Sequence, residues 1–189
     1  MKLISASLIA LAFAANSAFA AGTAPAAPAT PAAPTTAPTQ LNCKVGEVVK
    51  TVKKKGKTVK SCVKATAGII PDNELYAQGY LLAKTGQYDW ALSAFGAMTD
   101  KQTPETLTMI GYSNRKAGRL EIAVSYYDQA LAMQPDYVKA REYLGEGYVA
   151  AGRVDLAKLQ LAEIAKRAGT SSEEYIDLSQ AITGKSVNL

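Results

Sequence analysis

Three hydrophobic patterns succeed one another along the 189-residue chain. From Leu3 to Phe13 the run is apolar apart from Ser5 and Ser7. Between Leu41 and Ala65, valine and threonine alternate with lysine, and a period of two predicts strands. From Asp72 onward, longer segments punctuated by glycine and proline predict helices near 73–84, 87–99, 105–117, 120–133, 136–150 and 153–167. Several ends carry capping chemistry. Asp72 offers an N-cap to the first helix, Thr103-Pro104 opens the third, and Pro135 ends the fourth. Thr170-Ser171-Ser172-Glu173 reads as a capping box before a seventh helix to about Ile182, with Tyr175, Leu178 and Ile182 on one face.

The helical stretch is one pattern written three times. It runs Gly79, Gly86, Tyr88, Ala91, Phe95, then Gly111, Gly118, Leu120, Ala123, Tyr127, then Gly145, Gly152, Val154, Ala157, Leu161. The second and third copies are offset by 34 residues and the first two by 32, a period that marks a solenoid of helix pairs. Gly86, Gly118 and Gly152 fall where a tight turn between antiparallel helices needs the left-handed region. Gly79, Gly111 and Gly145 fall inside helices, where each costs about 1 kcal/mol against alanine. That cost, taken three times, implies a close approach of the second helix. Ala91, Ala123 and Ala157 are the expected small partners, with Phe95, Tyr127 and Leu161 filling space toward the next pair.

This arrangement resembles the tetratricopeptide repeat. Leu144-Gly145, Tyr148, Gly152 and Ala157 follow the family pattern, as do Ile110-Gly111, Gly118, Ala123, Tyr127, Ala130 and Pro135. The first copy departs from it, with Met98 where alanine is usual and a step two residues short. The resemblance covers roughly half the chain and implies an all-α superhelical solenoid. Three helix pairs (72–103, 104–137, 138–169) would be closed by a capping helix over 170–183, with a small β-hairpin before them. It further implies that the first helix of each pair lines a concave groove. The corresponding positions are Tyr76, Tyr80 and Lys84, then Thr108, Met109, Tyr112, Arg115 and Lys116, then Lys139, Glu142, Tyr143 and Glu146. Tyrosines and a methionine among charges suit an extended peptide or a partner helix. The family's carboxylate clamp is not reproduced, because Tyr76, Tyr80, Met109 and Tyr143 stand at most of its positions and only Lys139 agrees.

The chain before the repeats is of three kinds. Met1-Lys2, the apolar run and Ala18-Phe19-Ala20 together read as a signal peptide over 1–20, cleaved after Ala20. Residues 21–40 are almost wholly Ala, Pro and Thr, with Pro25, Pro28, Pro31, Pro34 and Pro38, and read as an extended spacer. Residues 41–70 form the expected hairpin. A turn at Lys55-Gly56 pairs Val52 with Val59 and Val48 with Val63. Cys43 and Cys62, the two cysteines of an exported chain, suggest a disulfide closing a twenty-residue loop, worth about 3 kcal/mol. The valine register nonetheless sets Cys62 opposite Val49. Either the chain folds back near Gly46 or the turn lies earlier.

Charge sharpens this division. Residues 41–70 carry eight lysines and one acid, whereas residues 71–189 carry twelve bases and fifteen acids. The net +5 is thus a basic hairpin joined to a mildly acidic solenoid. Lys50, Lys53, Lys54, Lys55, Lys57 and Lys60 form either an anionic-surface patch or a solvated strand face that resists edge pairing. In an exported protein the expected anion is an envelope component such as a lipid headgroup or wall polymer, not nucleic acid. The chain has no histidine, no complete phosphate loop and no nucleophile elbow, so no catalytic residue, metal or cofactor is expected. No transmembrane segment is expected after signal cleavage. The sequence therefore points to a non-enzymatic scaffold or adaptor, periplasmic or secreted, similar to small exported repeat proteins of Gram-negative bacteria. It would bind a protein or peptide partner in the groove, with anionic-surface binding through the hairpin as the alternative.

Overall fold

The computed structural model describes residues 43–184. The expected signal peptide, the spacer and the tail beyond 184 lie outside the described residues. Strands β1 (Glu47–Lys54) and β2 (Lys57–Lys64) pair antiparallel. Lys55 (φ 46°) and Gly56 (φ 74°) make the two-residue turn between them. Val52 faces Val59, Val48 faces Val63 and Val49 faces Cys62, as the alternation requires. The Cys43–Cys62 disulfide is present, with Cα atoms 5.5 Å apart. The register conflict is resolved before β1. Gly46 (φ 88°) turns the chain back, with Glu47 N–H donating to Lys44 C=O at 3.0 Å, and this returns Cys43 to Cys62.

Seven helices follow: α1 (Asp72–Lys84), α2 (Tyr88–Gly96), α3 (Pro104–Lys116), α4 (Leu120–Met133), α5 (Val138–Ala150), α6 (Val154–Ala168) and α7 (Glu173–Thr183). Gly86, Gly118 and Gly152 occupy the left-handed region at φ 82°, 80° and 72° in the three intra-pair turns. Two expected caps are replaced. Pro71, not Asp72, precedes α1 at the cap position. The Asp72 carboxylate instead accepts from Thr99 N–H and Asp100 N–H, both at 2.8 Å, and so ties the start of α1 to the loop after α2. That tether accompanies the end of α2 at Gly96, ahead of the expected 99. At α7 the cap is Ser172, which accepts from Tyr175 N–H, so the expected box between Thr170 and Glu173 does not form. Thr103 caps α3 as expected, accepting from Thr106 N–H, with Pro104 following.

The helices pack in two layers. Within each pair the partners lie against one another, and α1, α3, α5 and α7 touch in sequence. The second helices α2, α4 and α6 make no such contact among themselves. An inner layer that touches beneath an outer layer that splays is a curved stack, with its concave side on α1, α3, α5 and α7.

The mid-helix glycines do not rest on alanines. A Cβ on Gly79 would stand 2.5 Å from the Phe95 ring, and one on Gly111 would stand 2.7 Å from the Tyr127 ring. Phe95 and Tyr127 therefore fill the glycine gaps of their own pairs, and they also share clusters with the next pair as expected, Phe95 with Met109 and Ile110 and Tyr127 with Leu144. Ala91, Ala123 and Ala157 are fully buried but are not what the glycines meet. In the third pair Leu161 is only half-buried, and Leu178 of α7 occupies the gap at Gly145, 2.5 Å from a built Cβ. The capping helix thus replaces the third large residue.

The hairpin closes the other end. Val48 is buried in one cluster with Leu75, Ala91 and Phe95, and Val63 and Ala65 pack against it. The Gln78 side chain on α1 donates to Val49 C=O at 2.8 Å and accepts from Val49 N–H at 3.0 Å, satisfying the outer edge of β1 as a third strand would. Gly46 N–H donates to Ser93 Oγ, and Trp90 Nε1 donates to Cys43 C=O at 2.8 Å.

Candidate interaction face

The residues assigned to the groove come together on the inner layer, at three depths. Tyr76, Tyr80 and Tyr143 are half-buried and Lys84 is exposed. Arg115, Lys116 and Lys139 are half-buried, and Tyr112, Glu142 and Glu146 are buried. Met109, 4 % exposed, and Thr108 lie in the core and offer no contact surface. The reason is position: α3 is flanked by α1 and α5 and backed by α4, and every residue from Thr106 to Asn114 is buried.

The rings form two groups. Tyr76 and Tyr80 on α1 have centroids 6.3 Å apart, and Tyr112 and Tyr143 bridge α3 to α5 at 5.0 Å. Cations stand over the second group. Lys84 Nζ lies 5.1 Å from the Tyr112 centroid, the Arg115 guanidinium 5.5 Å from Tyr112 and 5.7 Å from Tyr143, and Lys139 Nζ 5.8 Å from Tyr143. Two of these cations are also held in ion pairs. Arg115 meets Glu146 at 2.6 Å, and Lys139 meets Glu142 at 2.8 Å and Glu174 of α7 at 3.3 Å.

These environments fix the proton chemistry. Burial raises the phenols of Tyr76, Tyr112 and Tyr143 above their ordinary value, so their hydroxyls stay protonated as donors. Burial pushes Glu142 up to about 7 against the pull of Lys139. Glu146 is also raised by burial, with Arg115 opposing. Burial works against the Lys139 charge, but Glu142 and Glu174 outweigh it and its ammonium is held above the ordinary range.

Three members of this face were not reached from the sequence. Tyr137 precedes α5 outside the repeat pattern, and burial together with Tyr76, Glu105 and Tyr80 raises its phenol. Glu105 and Glu174 stand in the first turns of α3 and α7, where a carboxylate reads as complementing the helix dipole. A cleft at the same end of the inner layer is lined by Asp72, Tyr76, Met98, Asp100 and Glu105. The face is therefore an aromatic stripe between an acidic rim at the starts of α1 and α3 and a basic rim of Lys84, Arg115 and Lys116 at their ends.

The hairpin lysines are placed differently. Lys53, Lys54, Lys55 and Lys57 are exposed, and Lys50 and Lys60 are half-buried. Among the described residues no ion pair involves any of them. Lys54 and Lys57 stand directly opposite each other beside the turn, and Lys50 shares its face with Val48 and Val52. Cys43 and Cys62 are both engaged in the disulfide, which leaves neither as a metal ligand or nucleophile. No described helix is long and apolar enough to cross a membrane.

Residues 115–182 match the family model described as tetratricopeptide repeat. No curated protein matches the chain. The matched stretch runs from the end of α3 into α7 and includes the copy in which the residue pattern is fullest. Members of this family are characteristically non-catalytic scaffolds for protein–protein contacts. The paired helices, the left-handed glycine turns and this match agree that residues 115–182 are built as tetratricopeptide repeat.

Proposed function

We propose that this chain is an exported, non-enzymatic adaptor, periplasmic or secreted, that holds an extended protein segment along its concave tyrosine face. One observation carries the reading: tyrosines from α1, α3 and α5 converge on a single face, where the buried phenols are protonated donors and Lys84, Arg115 and Lys139 are already paired or stacked on rings. Such a face recognises by stacking and hydrogen bonding more than by net charge. The test is crosslinking in intact cells, followed by pull-down with wild type and Tyr80→Ala/Lys84→Ala, which changes more accessible groove positions than Tyr112. Loss of the crosslinked partners with unchanged helical circular dichroism supports the groove. Unchanged recovery of every partner refutes it.

A second reading is favoured by the unpaired lysines of the hairpin. They form a cationic ribbon suited to an anionic envelope surface. Binding to vesicles rich in anionic lipid that falls steeply with added salt supports it. Absent or salt-independent binding refutes it.

A further inference from the structure

Beside the rings of the concave face the charges are already engaged: Arg115 pairs with Glu146, Lys139 pairs with Glu142 and Glu174, and Lys84 stands over the Tyr112 ring. A charged occupant of the stripe would have to compete with the Arg115–Glu146 and Lys139–Glu142 pairs. An uncharged, ring-stacking occupant would not. We propose that the proline tract Pro25–Pro38 of this same chain docks along the tyrosine face and is the resident occupant that partners displace. The proposal rests on the groove reading above and names what fills the groove in the absence of a partner.

Four features of the chain support this occupant. Residues 21–42 contain no charged side chain, which suits a stripe whose charges are already engaged with one another. Pro25, Pro28, Pro31 and Pro34 recur at every third position, so a polyproline II segment sets them on one side at steps of about 9 Å. Packed helices stand about 8–10 Å apart, so each step carries the tract from one inner helix to the next. Four prolines in register meet four inner helices, α1, α3, α5 and α7. The chemistry is also complementary: proline rings stack on tyrosine, and tract carbonyls without intrachain partners accept from phenol hydroxyls.

The tether reaches. Cys43 is pinned at its carbonyl by Trp90 at the start of α2, just after the turn that ends α1 at Lys84. Lys84 in turn stands 5.1 Å from the Tyr112 ring, so this turn adjoins the basic rim of the groove. The nine residues from Pro34 to Cys43 span up to about 28 Å when extended as polyproline II. A tether of this length supplies an effective concentration in the millimolar range, so a contact of only millimolar affinity is substantially occupied.

The test compares tyrosine-ring carbon NMR spectra of the full chain with those of the Pro25→Ser/Pro28→Ser/Pro31→Ser/Pro34→Ser chain, with circular dichroism as the folding control. The expected result is displaced ring signals for Tyr80, Tyr112 and Tyr143 in the variant. A free synthetic peptide of residues 23–40 should restore them at millimolar concentration. Wild-type signals that hold their positions on dilution identify a same-chain occupant. Signals that move on dilution assign the tract to a second copy and overturn the proposal as stated. Superimposable ring spectra for the two chains overturn it outright. If the spectra superimpose while Tyr80→Ala/Lys84→Ala still loses its crosslinked partners, this inference fails and the groove reading stands. If the partners are also retained, both fail.

Discussion

Replacing Gly111 by alanine tests the packing logic of the whole stack. In an open helix the change is favourable by about 1 kcal/mol. Here the new methyl would stand 2.7, 2.9 and 3.0 Å from three carbons of the Tyr127 ring. That ring is fully buried and rigid, so it cannot swing aside as the end of a flexible chain would. Overpacking of this kind costs about 1–3 kcal/mol, and three simultaneous ring contacts place it at the upper end. The net expectation for Gly111→Ala is a loss of about 2 kcal/mol. Gly96 supplies the matched control, since it closes α2, is exposed, and a Cβ there meets nothing within 4 Å. Gly96→Ala should gain up to about 1 kcal/mol. Urea unfolding followed by circular dichroism reads both. With a slope of about 2 kcal/mol per molar, the Gly111→Ala midpoint should fall by about 1 M, while that of Gly96→Ala holds or rises. A Gly111→Ala protein as stable as wild type would refute the claim that the repeat glycines make room for the large residues of α2 and α4.

Three further outcomes are expected. Reducing the disulfide, or Cys43→Ser, should cost about 3 kcal/mol through the opened loop and shift Trp90 fluorescence to the red as its indole loses the Cys43 carbonyl. Because Glu142 titrates near 7 when folded, against an ordinary 4.5, the folded protein holds a proton there that the unfolded chain has released; stability should fall as pH rises across that window, by at most about 3 kcal/mol, and level off above it. Glu142→Gln should remove that slope, read as the difference in urea midpoints between the two ends of the window. Arg115→Ala leaves Glu146 buried without its partner and should destabilise by about 3–5 kcal/mol, more than Arg115→Ala/Glu146→Gln, which also removes the charge left behind.

The repeats were legible because their determinants are local. A glycine seven residues before a second glycine writes both the packing gap and the turn into the sequence, and period-two valines write the hairpin register. The identity of what fills each gap was not legible, since it depends on neighbours distant in sequence. Leu178 reaches Gly145 from 33 positions along the chain, and nothing near Gly145 marks it. Gln78 reads as one more exposed helix residue until the edge of β1 is laid beside it. Asp72 looked like a cap because its local context is a cap's; the amides it holds belong to Thr99 and Asp100. The groove was only partly legible for the same reason. Repeat spacing finds its helices, but the sandwiching of α3 withdraws Met109, and Tyr137 enters from a loop the period does not count.

The hairpin on α1 and α2, and Leu178 over Gly145, have a consequence for growth. A stack stoppered at both ends is an object of fixed length. Among the described residues, the hairpin covers the first pair and α7 covers the last. A fourth pair added at the start would meet the hairpin, and one added at the end would first have to evict Leu178. Lengthening of this protein would therefore proceed by insertion between existing pairs, leaving its two stoppers where they are.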